Sequence, residues 1–308
     1  MIKKIIIFNI LFFVFFLYAD TEEISLDDFD TPSITNIYFI DGQKIVIIRK
    51  DFVSKVYFFD KKIFDLKEEY TDYVVDILTN LSGKDITGNN IADLVIETYS
   101  GGAHCCYNYL IYEKGEDNFF YLIQELFDDD VLQHSTARFT NLDKENDLEI
   151  IINDWTFAYW KTCFAESPAP EVILKFDKLK YKYSVCPELM KKPVLSEEKL
   201  YKKIIKVKEE FEELKNDKSN LVDSLFSLFF NNDNEMTSPE LLRTMLDLIY
   251  TGNMNEAGRF FKLAWPGTKD EAKKFLVSFQ DQLETSPWWQ YIKELNKDQD
   301  LFYYFYKK

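Results

Sequence analysis

From Ile34 to about Tyr183 the chain alternates short apolar runs with clusters of Asp, Asn, Gly and Lys. Ile45-Val46-Ile47-Ile48, Val56-Tyr57-Phe58-Phe59, Leu94-Val95-Ile96 and Ile150-Ile151-Ile152 have strand length and are rich in β-branched and aromatic residues, which predicts buried strands. Asp41-Gly42 and Thr87-Gly88-Asn89-Asn90 are turn signals between such runs. Tyr73 to Leu78 fits a strand or a helix. Beyond Pro187 to Pro193 the period changes: Leu200, Ile204, Val207, Phe211 and Leu214 recur at helical intervals and predict an amphipathic helix, with Ser196-Glu197-Glu198 at its start. Ser238-Pro239, Thr268 with Glu271, and Ser286-Pro287 mark further helix starts, and Gly252 and Pro266 mark stops. The fold class read from this pattern is α+β. An antiparallel β domain, a curved sheet or sandwich, is expected over residues 34–190, followed by an α-helical domain over 194–308.

The first residues add a compartment. A basic Met-Ile-Lys-Lys start, an apolar run from Ile5 to Leu17 and a small residue, Ala19, before Asp20 have the parts of a secretory signal peptide. The run is too short to cross a bilayer as a helix, which takes about 20 apolar residues. We therefore expect a signal peptide over 1–19, a linker over 20–33 and a periplasmic or secreted product with no membrane span after cleavage. Cleavage removes Lys3 and Lys4 and no acid, leaving 53 acids against 35 bases. Such a surface repels nucleic acid and suits cations or basic partners. With 28 Phe and 19 Tyr there is ample material for a core.

Two stretches of the β region share one plan. Asp85-Ile-Thr-Gly-Asn-Asn-Ile-Ala-Asp93 runs into Leu94-Val95-Ile96, and Asn141-Leu-Asp-Lys-Glu-Asn-Asp-Leu-Glu149 runs into Ile150-Ile151-Ile152. Each joins an oxygen-rich turn to a buried strand and continues to a second apolar run, giving repeat units over about 85–112 and 141–175. On these residues the chain resembles the FG-GAP or VCBS repeats of exported bacterial proteins and of the integrin α-chain propeller. That resemblance implies calcium as the cofactor, with Asp85, Thr87, Asn89 and Asp93 as ligands in the first loop and Asn141, Asp143, Glu145 and Glu149 in the second. The first loop is preferred, because it keeps acids at its leading and closing positions. The same residues also suit turns held by side-chain hydrogen bonds to the backbone. Two units are too few for a propeller. In the helical region, Leu246 to Phe261 resembles the turn of a tetratricopeptide hairpin, with Ala257 at the helix contact, in a single copy.

Four cysteines remain after cleavage: Cys105, Cys106, Cys163 and Cys186. An even count in an exported chain predicts disulfides, and neighbours on a strand point to opposite faces. We expect Cys105 and Cys106 to pair with Cys163 and Cys186 in some order. A metal or thiol site using His104 is the other reading of the cluster. Asp154-Trp-Thr-Phe-Ala-Tyr-Trp160 reads as an aromatic strand whose Trp155, Phe157 and Tyr159 share one face. It is core by that alternation, or a ligand platform of Trp155, Tyr159 and Trp160 for a sugar or peptide. No nucleophile elbow, His-Glu-x-x-His, P-loop or dinucleotide glycine pattern occurs, and His104 and His134 are the two histidines. The reading is an exported, non-enzymatic binding or envelope-associated module, calcium-stabilised, with a protein or glycan partner. The alternative is a secreted hydrolase of glycan or peptide using Asp154 and Glu166.

Overall fold

The computed structural model describes residues 34–50, 53–58, 61–65, 74–99, 107–127, 136–217 and 236–306. The signal segment, the linker, His104, Cys105, Cys106 and His134 lie outside these residues. The protein is α+β, and the described strands form three four-stranded antiparallel sheets. Contacts cluster into two compact units, one ending at Leu126 and one beginning at Phe127.

The first compact unit holds two meanders. One is β1 (Ile34–Ile40), β2 (Gln43–Lys50), β3 (Val53–Phe58) and β4 (Lys61–Asp65); the other is β5 (Val74–Ile77), β6 (Asp93–Tyr99), β7 (Tyr107–Lys114) and β8 (Phe120–Glu125). Ile45, Ile47 and Val56 of the first sheet meet Val75, Ile77, Leu94, Ile96, Leu110 and Tyr112 of the second in one core. Removing such side chains from water stabilises by about 1.5–3 kcal/mol each. Within the ambiguous stretch, Val74–Ile77 is a strand. Val75 and Ile77 are buried while Val74 and Asp76 are exposed, the period of two that an extended backbone imposes. In β6 and β7, Leu94 to Ile96 and Tyr109 to Tyr112 are buried without alternation, so both faces of these central strands are covered.

The second compact unit begins with β9 (Arg138–Thr140), β10 (Glu149–Asn153), β11 (Glu171–Asp177) and β12 (Lys182–Val185), ordered β12-β11-β10-β9. Helices follow: α1 (Pro187–Met190), α2 (Glu197–Asp217), α3 (Pro239–Tyr250), α4 (Met254–Ala264), α5 (Lys269–Glu284), α6 (Trp289–Leu295) and α7 (Tyr303–Tyr306). Ser238 accepts from Leu241 N at the start of α3, and Thr268 with Glu271 completes both halves of a capping box at α5. Ser286 does not start α6 as Ser286-Pro287 predicts. The helix begins at Trp289; the Ser286 hydroxyl accepts from Trp288 N at 3.1 Å just before it and donates to Asp154. The α3–α4 hairpin turns at Gly252, whose φ of +78° favours glycine. Ala257 is fully buried, and a Cβ on Gly258 would lie 2.1 Å from the Leu301 carbonyl oxygen, so no larger residue fits there.

The break between compact units differs from the one expected near 187–196. Pro187 to Pro193 marks a switch from strand to helix inside one core. β11 packs on α1 and α3, Asn253 Nδ2 donates to the Lys192 carbonyl at 3.0 Å, and the buried Asp154 after β10 accepts from Tyr250 and Ser286, each at 2.5 Å. The third sheet thus belongs with the helices and not with the sheets before it.

Candidate metal centre

The two acidic loops sit at corresponding places, the first leading into β6 from β5 and the second into β10 from β9. Their hydrogen bonds follow one frame. In the first, Asp93 Oδ2 accepts from Ile86 N at 2.7 Å and Thr87 N at 3.2 Å. In the second, Glu149 Oε2 accepts from Leu142 N at 2.6 Å. The leading residues also match. Asp85 Oδ1 accepts from Gly88 N at 2.6 Å and Asn141 Oδ1 accepts from Lys144 N at 2.6 Å. Gly88 and Lys144 both have positive φ, +76° and +69°. A side chain closing on the N–H three residues ahead forces this turn, and the terminal acid locks it from the strand side.

Within that frame several expected ligands are committed to the turn. Asp85 takes three further contacts between its oxygens, two from backbone, Asn89 N at 3.2 Å and Asn90 N at 2.7 Å, and one from the Thr87 hydroxyl at 3.5 Å. Asn89 accepts from Ile91 N at 2.9 Å and donates to Glu113 on β7. Asn141 donates to the carbonyl oxygens of Glu145 and Asp147. What remains differs between loops. Asp93 is fully buried, its Oδ1 accepts no hydrogen bond among the described residues, and it faces Glu113 directly across the β6–β7 ladder. Like charges placed opposite in a ladder repel. Burial pushes the Asp93 carboxyl up to about 7, against the pull of the Ile86 and Thr87 N–H groups and with Glu113 and Asp85 adding to the rise.

In the second loop Asp143, Glu145 and Asp147 bring carboxylate oxygens within 4.8 Å of one another and could hold a metal ion. The Lys175 ammonium of β11 stands among them: it bonds Asp143 and lies 3.1 Å from Glu145, 3.3 Å from Glu149 and 3.5 Å from Asp147. Burial alone would lower the Lys175 pKa, but these carboxylates outweigh it and raise it. The Lys175 hydrogen bond in turn lowers Asp143. Glu113 and Lys175 were not found from sequence, because each reaches its loop through strand register. The signal that was there is a charged residue interrupting or ending an apolar run, at Tyr112-Glu113 and Leu174-Lys175-Phe176.

The aromatic stretch is not a strand. Residues 156–162 form turns and bends in which Tyr159 and Lys161 take positive φ, +61° and +53°. Phe157 is buried, Tyr159 is exposed and Trp155 lies between, so no common face exists. Trp155 stacks on Phe164 at 5.1 Å and Tyr159 leans on the same ring at 5.2 Å. Trp160 goes elsewhere, edge-on to Phe157 and Phe279. Asp154 is buried, its Oδ1 taken by Thr156 N and Oγ1 and its Oδ2 by Tyr250 and Ser286. Glu166 is exposed, 3.8 Å from Arg243. Cys163 is exposed and Cys186 half-buried, both as free thiols, and burial raises the Cys186 thiol pKa. Their expected partners, Cys105 and Cys106, fall outside the described residues. No described helix is long and apolar enough to cross a membrane. No protein-family model, no curated protein and no solved structure matches this chain.

Proposed function

We propose that the chain is an exported, non-enzymatic binding module of the envelope or extracellular space, built on two FG-GAP-like or VCBS-like repeats, whose first repeat is stabilised by calcium. The observation that carries the cation reading is Asp93: a fully buried carboxylate with an unsatisfied oxygen, set against a second carboxylate across the ladder. A buried carboxyl of that kind is neutralised by a proton or by a cation, and a hard oxygen site suits calcium. Asp93 and Glu113 are the central ligands, with Asp85, Thr87 and Asn89 shaping the loop. The partner surface is the exposed Tyr159 with Trp155 on Phe164, apolar ring faces of the kind that stack on a sugar or grip a protein side chain. The hydrolase alternative asks Asp154 to do chemistry, and both its oxygens are already spent inside the core.

Thermal unfolding with millimolar calcium against chelator tests the cation reading. A calcium concentration a hundredfold above the dissociation constant stabilises a folded site by about 2.7 kcal/mol. Wild type is expected to show a shift of that order and Asp93→Asn none. Identical melting of wild type in both buffers would leave the loops as structural turns.

A further inference from the structure

We infer that Lys175 is the resident cation of the second loop, standing in the place of a divalent ion, and that removing it turns this loop into a divalent-cation site. The inference deepens the reading of the acidic loops as cation sites and rests on it. Four carboxylates from one turn and the strand that follows surround one ammonium, with Asp143 in contact and Glu145, Glu149 and Asp147 at 3.1, 3.3 and 3.5 Å. One carboxylate suffices for an ion pair. Four oxygens from separate acids around a point are the donor set of a hard metal ion.

Asp147 points to the same centre independently. It is 2 % exposed, its Oδ2 accepts no hydrogen bond among the described residues, and that oxygen meets Lys175 by charge alone across a distance too long for a good hydrogen bond. A buried oxygen left in this state is placed for a ligand the ammonium only partly replaces. Strand register then explains why the two repeats differ. β10 and β11 pair Ile150 with Leu174, so the next pair out sets Lys175 opposite Glu149. The same ladder position in the first repeat sets Glu113 opposite Asp93. One residue on the third element of each repeat therefore reverses the sign of the charge offered to the loop. A tethered ammonium fills the volume and cancels part of the field that would draw an external ion, and its local concentration does not fall when calcium does.

The experiment compares wild type, Lys175→Met and Lys175→Arg as full mature chains, using calcium as the probe, by isothermal titration and by melting in calcium against chelator at matched ionic strength. Lys175→Met is expected to bind one calcium more per chain than wild type and to lose stability in chelator that calcium restores. Lys175→Arg is expected to add no ion. The readout is the difference from wild type, so a wild type that binds nothing would defeat the first-loop reading while leaving this one to stand or fall on Lys175→Met. An unchanged ion count in Lys175→Met, or unfolding that calcium does not rescue, overturns the inference. So does loss of a wild-type calcium in Asp143→Asn with Glu145→Gln, since the second loop of the native chain holds none.

Discussion

The two compact units bury acids on opposite terms. In the unit ending at Leu126, Asp93 lies fully inside with one oxygen unsatisfied and another carboxylate opposite. In the unit beginning at Phe127, Glu149 is met by Lys175, Asp154 by Tyr250 and Ser286, and Glu240 by Lys203 and Lys206, while Asp147 keeps one oxygen in charge contact only, 3.5 Å from Lys175. The two loops share one hydrogen-bonded frame, so their difference comes from the residue that the neighbouring strand sets opposite the closing acid, Glu113 in the first repeat and Lys175 in the second. Lys175 comes from the second repeat's own strand, whereas the partners of Asp154 and Glu240 come from the helices and the turn after them that share the second unit's core.

The comparison breaks most visibly at Asp154. Asp154→Ala is expected to cost about 3–5 kcal/mol, because it strands the buried Tyr250 and Ser286 hydroxyls while removing a carboxylate that four donors stabilise. Asp93→Asn in chelator should cost little or even stabilise, since an amide keeps the acceptor for Ile86 N and replaces a repelling oxygen by a donor. Urea unfolding of both variants measures the contrast. Similar losses at both positions would mean that Asp93 is as well supported as Asp154.

A smaller effect tests whether the second unit's cations act on its acids through charge. Glu240, in the first turn of α3, accepts from Lys203 at 2.7 Å, Lys206 at 2.8 Å and Thr244 at 2.9 Å. Burial alone would raise its pKa, but these partners outweigh it and hold the carboxyl down at about 2. A carboxyl whose folded pKa lies below its unfolded value, 4.5, contributes stability that is complete above that value and is lost as pH falls toward 2. Glu240→Gln is expected to cost on the order of 1–3 kcal/mol at pH 7 and to flatten the stability curve between about pH 4.5 and 2. An unchanged acid limb would assign the loss to packing.

Much of this architecture was legible in the chain because it rests on local chemistry. The strand runs, the caps at Ser238 and Thr268, the turn at Gly252 and the paired loops all follow from residues within a few positions of one another. What was not legible depends on register and on backbone sign. Glu113 and Lys175 meet their loops through ladder pairing, which spacing along the chain does not report. Trp155, Phe157 and Tyr159 fit a period of two only if the backbone is extended, and the left-handed Tyr159 and Lys161 break that assumption. The proline cluster at Pro187 to Pro193 announces a change of secondary structure and carries no information about which core the preceding strands join.

The smallest expected effect concerns a backbone position at which the two loops differ in strain. Gly88 takes its φ of +76° freely, whereas Lys144 holds +69° with a Cβ. Left-handed backbone costs a residue with a side chain about 1–2 kcal/mol. Glycine relieves that cost but loses more conformational freedom on folding, by roughly 0.5–1 kcal/mol. The two terms oppose, so Lys144→Gly is expected to stabilise by less than about 1 kcal/mol. Lys144→Ala separates them, because it keeps the Cβ and the strain while removing the exposed lysine chain. If the difference in denaturant midpoint between the glycine and alanine variants favours glycine, the turn is strained as its φ indicates. If alanine equals or exceeds glycine, the hydrogen bond from Lys144 N to Asn141 holds the turn without measurable strain at this position.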